Sequence, residues 1–263
     1  MSSVPFFEAE SRQWRQIRRR YEAWWQGEML DRPLVSVTAP ARHLETDAPP
    51  TSETALFEWL TDPDQVLPRL EQRVAATHYA GDAFPWVDPL SLGLAAIQAA
   101  YLGAPYRVDP ITLTGWTEPV IEDWSTRPRF IVDPENRWWQ ATRRLLEAGA
   151  RWFAGRSAIA IPDLQGGGEI LALLRGSERL AVDLVDCPEE IPPALQEINA
   201  AWLDYYTACF EIIHRWQEGW VDWLGIWSDS PAVTVECDFS VMISPQMFRR
   251  YFLPAVAQQT EWI

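Results

Sequence analysis

The chain has 263 residues, 48% of them hydrophobic, and a formal net charge of −15, a balance with ample apolar side chains for one large packed domain or two small ones. The acid excess excludes a partner held by phosphate neutralisation, because a nucleic-acid footprint needs clustered cations. All 22 basic residues are arginine, which also excludes Schiff-base lysine chemistry and a P-loop lysine.

The first twenty residues carry charge where a signal peptide needs an apolar stretch, and no run approaches the roughly 18 apolar residues of a membrane span. A soluble, cytoplasmic protein is predicted. Between Glu8 and Trp25, Trp14, Ile17, Tyr21 and Trp24 recur at helical spacing, Gly27 supplies a stop, and Arg15, Arg18 and Arg19 face mostly solvent. This helix reads as an N-terminal extension over residues 1–32, ahead of a domain over 33–263.

Asp31-Arg32-Pro33 makes a turn into a first strand, Leu34 to Thr38, closed by Pro40. A polar, proline-rich loop spans Glu45 to Thr54, and Asp62-Pro63 caps a helix expected to run to about Tyr79. Ala83 to Asp88 is a second strand, followed by a helical run from Leu90 to Leu102. Tyr106 to Val132 predicts a small hairpin or lid, and Asp133-Pro134-Glu135 caps a helix through about Phe153.

Ser157 to Ile161 is a third strand, ending in Pro162-Asp163-Leu164-Gln165 and Gly166 to Gly168, with a helix from Glu169. A further helix covers Ser177 to Asp186, Pro192-Pro193 opens a long one to about Trp216, and Asp222 to Trp227 is the fourth strand. Strands alternating with helices predict an α/β fold with a parallel sheet. Cys187, Cys209 and Cys237 are odd in number and widely spaced, which suggests neither a disulfide framework nor a metal knuckle and fits a reducing compartment.

Ile243-Ser244-Pro245-Gln246-Met247-Phe248, with Leu253-Pro254, resembles a signature of the uroporphyrinogen decarboxylase superfamily. Pro162-Asp163-Leu164, the glycines after it, Arg175-Gly176, Leu180, Asp183 and Asp186-Cys187-Pro188 are similar to a second stretch of that family. Physically, Ser244 is an N-cap, Pro245 a first-turn residue, and Met247, Phe248, Tyr251 and Phe252 a buried face. The resemblance implies a (β/α) TIM-type barrel, often a homodimer, acting on a small-molecule substrate. Its members include porphyrinogen decarboxylases and corrinoid-linked methyltransferases.

Four strands against the eight of a closed barrel lead to the expectation of a truncated chain, with only the first four β/α units and an open edge able to recruit a partner. The decarboxylases' arginine-rich loop after the first strand is replaced by Thr38-Ala39-Pro40-Ala41-Arg42-His43, where only Arg42 could hold a carboxylate. Porphyrinogen decarboxylation is therefore disfavoured. The resemblance implies zinc and a corrinoid partner if the chain is a methyltransferase, with zinc ligands in the half of the barrel not represented, and neither if it is a decarboxylase.

Position at strand C-termini selects Asp88, Asp163 and Asp229 as candidate catalytic carboxylates and Arg42, Gln165, Trp227 and Cys237 as candidate substrate contacts. A loop turn or helix N-cap is the plainer role for Asp88 and Asp163, and a small buried residue for Cys237. Gly166 to Gly168 either presents backbone N–H groups to an anion or makes a tight turn. Sixteen tryptophans suggest core contacts, with some near strand ends as a wall for a flat or cationic ligand. Two further readings stay open: a glycoside hydrolase-like barrel, and an inactive half-barrel that associates.

Overall fold

The structure, a computed structural model, describes residues 11–44, 47–91, 94 and 97–262. In chain order the main elements are α1 (Arg12–Trp25), β1 (Ser36–Pro40), α2 (Glu53–Thr61), α3 (Pro63–Ala75), β2 (Thr77–Gly81), β3 (Trp86–Val87) and α4 (Gln98–Tyr101). There follow β4 (Tyr106–Val108), β5 (Gly115–Thr117), α5 (Arg137–Phe153), β6 (Ala158–Ile159), α6 (Gly167–Arg175), α7 (Ser177–Asp186) and α8 (Ile191–Ile213). The chain closes with β7 (Trp220–Val221), β8 (Trp227–Ser228), α9 (Pro245–Met247), a π-turn over Phe248–Phe252, and α10 (Leu253–Glu261). Of the helical run expected from Leu90, residues 92, 93, 95 and 96 lie outside the described residues, as do the first residues of the N-terminal helix and part of the 45–54 loop. Among the described residues no helix is long and apolar enough to cross a membrane.

The chain forms two compact units. The first comprises Met1–Leu92, Thr142–Pro162 and Phe210–Val233. Helix α1 contributes to the core of this unit, because Trp14, Ile17 and Tyr21 stack one above the next on a single face. They pack with Phe84, Ala158, Ala160, Val221 and Trp227. Ring centroids of Trp14 and Tyr21 lie 5.3 and 5.8 Å from Phe84. Ser11 caps the helix by accepting the Trp14 N–H at 3.1 Å.

The predicted second and third strands do pair in parallel, Trp86 opposite Ala158 and Val87 opposite Ile159. The ladder continues to the fourth position through the Ile161 N–H, which donates to the Val221 carbonyl at 2.8 Å. The fourth strand itself differs from expectation: Trp220–Val221 and Trp227–Ser228 are two short antiparallel pieces around a Gly225 turn at φ +78°. The two pieces pair with each other, Trp220 opposite Ser228 and Val221 opposite Trp227.

The first strand departs further. β1 runs antiparallel to β2, from Ser36 opposite Gly81 to Pro40 opposite Thr77, and every residue of β1 is exposed. Residues 77–79, expected as the end of a helix, form this partner strand because α3 stops at Ala75 and the β-branched and aromatic Thr77 and Tyr79 favour extended backbone. Among the described residues the sheets are two-stranded pairs and no barrel closes. The architecture shown is mixed α/β.

Asp82 holds the β2 end in place. It is fully buried and accepts from Arg20 Nη1 at 2.8 Å, Arg32 Nη1 and Nη2 at 2.6 and 2.9 Å, and the Val35 N–H at 3.0 Å. Arg32 of the predicted turn thus neutralises a buried carboxylate, the condition under which such a charge survives in a core.

The second unit comprises Gly93–Ala141, Asp163–Cys209 and Thr234–Ile263. Tyr101, Trp139 and Tyr205 form an aromatic triad with centroids 4.7–5.4 Å apart. A hairpin does form within the 106–132 stretch, as β4–β5, but its strands are not the alternating runs around 111–113 and 130–132: the first of these falls in the connection between β4 and β5, and the second is in no strand. Asn136, rather than Asp133, caps α5 by accepting the N–H groups of Trp138 and Trp139. The motif residues Arg175 and Asp183 form a bidentate pair at 2.6 and 3.1 Å, and Trp124 Nε1 donates to the same carboxylate at 3.0 Å. Ser244 caps α9 by accepting the Met247 N–H, as its Ser-Pro sequence predicts. Tyr251 and Phe252 are buried, while Met247 and Phe248 are half-buried.

Candidate active site

In the second unit, the segment from Asp163 to Glu169 and the segment from Glu236 to Phe239 meet. Three consecutive glycines allow it. A Cβ on Gly166 would lie 1.8 Å from the Glu236 carbonyl oxygen, one on Gly167 2.4 Å from Asn199 Oδ1, and one on Gly168 2.8 Å from Cys237 Sγ and from Phe252 Cδ1. The triplet therefore serves close backbone approach. Glu169, an acidic residue in the first turn of α6 where the helix dipole favours negative charge, accepts the Phe239 N–H at 2.8 Å.

Just before the glycines, Asp163 Oδ1 accepts the Gln165 N–H at 2.8 Å, and Gln165 adopts φ +52°, a left-handed conformation uncommon outside glycine. Trp202 Nε1 fixes that turn by donating to the Gln165 carbonyl at 2.9 Å. The Gln165 Oε1 and Asn199 Oδ1 atoms are buried without a hydrogen-bond partner among the described residues. Asn199 itself is fully buried and donates through Nδ2 to the Ala255 carbonyl and Gln258 Oε1.

The electrostatics follow from this packing. Burial, with Asp163, Asp238 and Glu169 nearby, pushes the Glu236 carboxyl up from 4.5 to about 7. Burial raises Asp163, with Asp238 adding to it against the opposing Gln165 hydrogen bond. Glu169 is raised by burial, against the Phe239 hydrogen bond, and by Asp238 and Asp163. Burial, then the Glu169 charge, pushes the Cys237 thiol up to about 11, which leaves it protonated at neutral pH and a poor nucleophile.

Of the residues singled out in the sequence, Asp163, Gln165 and Cys237 are brought into this cluster. Asp88, Arg42, Trp227 and Asp229 belong to the first unit. Asp88 Oδ1 accepts the Leu90 N–H and its carbonyl accepts the Ser91 N–H, the turn role. Asp229 is exposed and accepts from Ser230 Oγ. Trp227 is 2% exposed within the core. Arg42 is exposed beside a groove of about 370 Å³ that His43 and Arg73 also line. Glu236, Glu169 and Asn199 were not singled out; the acid-Cys-acid run Glu236-Cys237-Asp238 was the available signal for the first.

Among the described residues no three His, Cys, Asp or Glu side chains converge as a metal-ligand set; the zinc ligands that the resemblance implies belong to the half of the barrel not represented. No protein-family model matches the chain, and no curated protein matches it.

Proposed function

We propose that the chain is a small-molecule enzyme of the superfamily its motifs resemble, with Glu236 as the proton-transferring carboxyl and methyl transfer rather than porphyrinogen decarboxylation as its reaction. The observation that carries this reading is the Glu236 carboxyl poised at about 7. A group there is protonated and ionised in comparable amounts at neutral pH, so it can donate a proton and recover it between turnovers.

In this reading a methyl group leaves an oxygen, nitrogen or sulfur atom of a small donor, and Glu236 protonates the heteroatom left behind. A corrinoid on a separate protein is the methyl acceptor. Four neighbouring acids favour a neutral or cationic donor and disfavour a porphyrinogen, whose own carboxylates would face like charge. The homodimer implied by the resemblance belongs to the same proposal and is tested by light scattering.

The test is turnover by the full chain with a corrinoid acceptor and a panel of O-, N- and S-methyl compounds, followed from pH 5 to 9. Activity that declines above about pH 7, and falls on the order of 100-fold in Glu236→Gln, supports the reading. Absence of turnover across the panel, or turnover indifferent to the substitution, removes it.

Glycoside hydrolysis is a second reading, favoured by one observation: a carboxyl protonated near neutrality, Glu236, lies within electrostatic reach of a second, Asp163. That chemistry uses two carboxyls about 5–9.5 Å apart. Release of nitrophenol from aryl glycosides, lost in both Glu236→Gln and Asp163→Asn, would select it over methyl transfer.

A further inference from the structure

The first unit contains a cleft of about 210 Å³ beside the N-terminal end of β6, lined by Trp14, Arg18, Ser157, Trp216, Glu218 and Trp227 among others. Trp14 and Trp227 stand edge to face with centroids 5.8 Å apart, which makes a rigid aromatic corner. Trp216, 45% exposed, adds an outer indole. A cavity of roughly 150 Å³ accepts benzene, so this cleft has room for a larger planar ring system carrying one small substituent.

Two polar groups at the cleft have capacity to spare. Arg18 sits over the Trp227 ring at 5.0 Å, and its salt-bridge partner is Glu218, 3.9 Å away with a side chain 89% exposed. Such a pair is weak and readily exchanged. Ser157 is 6% exposed, and its hydroxyl has no hydrogen-bond partner among the described residues. A guanidinium fork and an unused hydroxyl together match a carboxylate. Arg18 already occupies the cation position over the indole face, so a cationic ligand would meet like charge.

We infer that this cleft is a binding site for a small planar aromatic carboxylate, its ring against the exposed Trp216 indole at the rim of the Trp14–Trp227 corner and its carboxylate on Arg18 and Ser157. The site uses none of the residues assigned to proton transfer, so it stands apart from the proposed reaction. In a chain of net charge −15, recognition of an anion depends on this local arginine rather than on long-range attraction, and the affinity weakens as salt rises.

The experiment is calorimetric titration of the full chain with indole-3-acetate, with 3-methylindole and tryptamine as the neutral and cationic probes. Saturable binding of indole-3-acetate is expected, at least 10-fold tighter than 3-methylindole, with no binding of tryptamine. Arg18→Met and Trp216→Ala are each expected to weaken it at least 10-fold. Trp216 is half exposed, so its removal leaves the core packed, and an unchanged circular dichroism spectrum with retained affinity would overturn the site. Ser157→Val, which fills the cleft while keeping its apolar walls, provides an independent check: undiminished affinity in that variant, equal binding of all three probes, or no saturation at millimolar concentration each overturns the inference.

Discussion

The Glu169 carboxylate accepts the backbone N–H of Phe239 at 2.8 Å, joining the first turn of α6 to a short helical turn seventy residues later in the chain. This bond helps hold Glu236, Cys237 and Asp238 beside Asp163, and it places one negative charge where it acts on Glu236. Glu169→Gln keeps an acceptor for Phe239 but removes that charge. The Glu236 titration, read by carboxyl-carbon NMR, is expected to fall below 7 toward its ordinary value. A midpoint that stays put or rises would show that Glu169 does not act on Glu236 as described.

Stability is expected to peak in mildly acidic solution. Glu236 has a folded value raised from 4.5 to about 7, so between those limits the folded chain binds more protons than the unfolded one. Its contribution is complete below about 4.5 and is lost as pH rises through about 7. On the acid side, burial alone would raise Asp82 and Asp183, but hydrogen bonds from Arg32 and Arg175 respectively bring both below their ordinary range. Their contribution is present above that ordinary range and is lost as pH falls through the lowered values. Urea midpoints from pH 3 to 9 should show both slopes, and Glu236→Gln should flatten only the one between pH 4.5 and 7.

Asp82→Ala leaves Arg20 and Arg32 without their shared acceptor and the Val35 N–H unpaired. Removing one partner from a buried charge network costs about 3–5 kcal/mol, measured by chemical denaturation. A loss below about 1 kcal/mol would mean that solvent or Asp31, which also accepts from Arg20, takes over.

Gly166→Ala and Gly155→Ala separate crowding from backbone strain. At Gly166 a methyl group would meet the Glu236 carbonyl oxygen at 1.8 Å, whereas at Gly155 it meets nothing within 4 Å but must adopt φ +71°. The first is expected to cost over ~2 kcal/mol and displace Glu236, and the second about 1 kcal/mol with the site intact. Equal, small losses would contradict the close approach at Gly166.

Several elements were legible because their determinants are local. Trp14, Ile17 and Tyr21 mark the buried face of α1 by spacing alone, and Ser244-Pro245 marks a helix start by cap chemistry. The 157–161 run announced β6, and Asp163 and Cys237 were picked out by their places after strands. The 77–81 strand was missed because its length and pattern also fit a helix end, and only pairing with β1 decides between them.

The chain's composition and periodicities were enough to determine a mixed α/β fold, its main helices and a parallel pairing of the second and third predicted strands, because these follow from side-chain spacing over a few turns. Tertiary structure alone decided that Gly166 to Gly168 admit another segment of backbone rather than a phosphate, and that Asp82 is neutralised by Arg20 and Arg32. It alone made Glu236 the carboxyl that titrates near neutrality, because a pKa depends on burial and on charges brought close through space, here Asp163 and Glu169 from some seventy residues away in the chain.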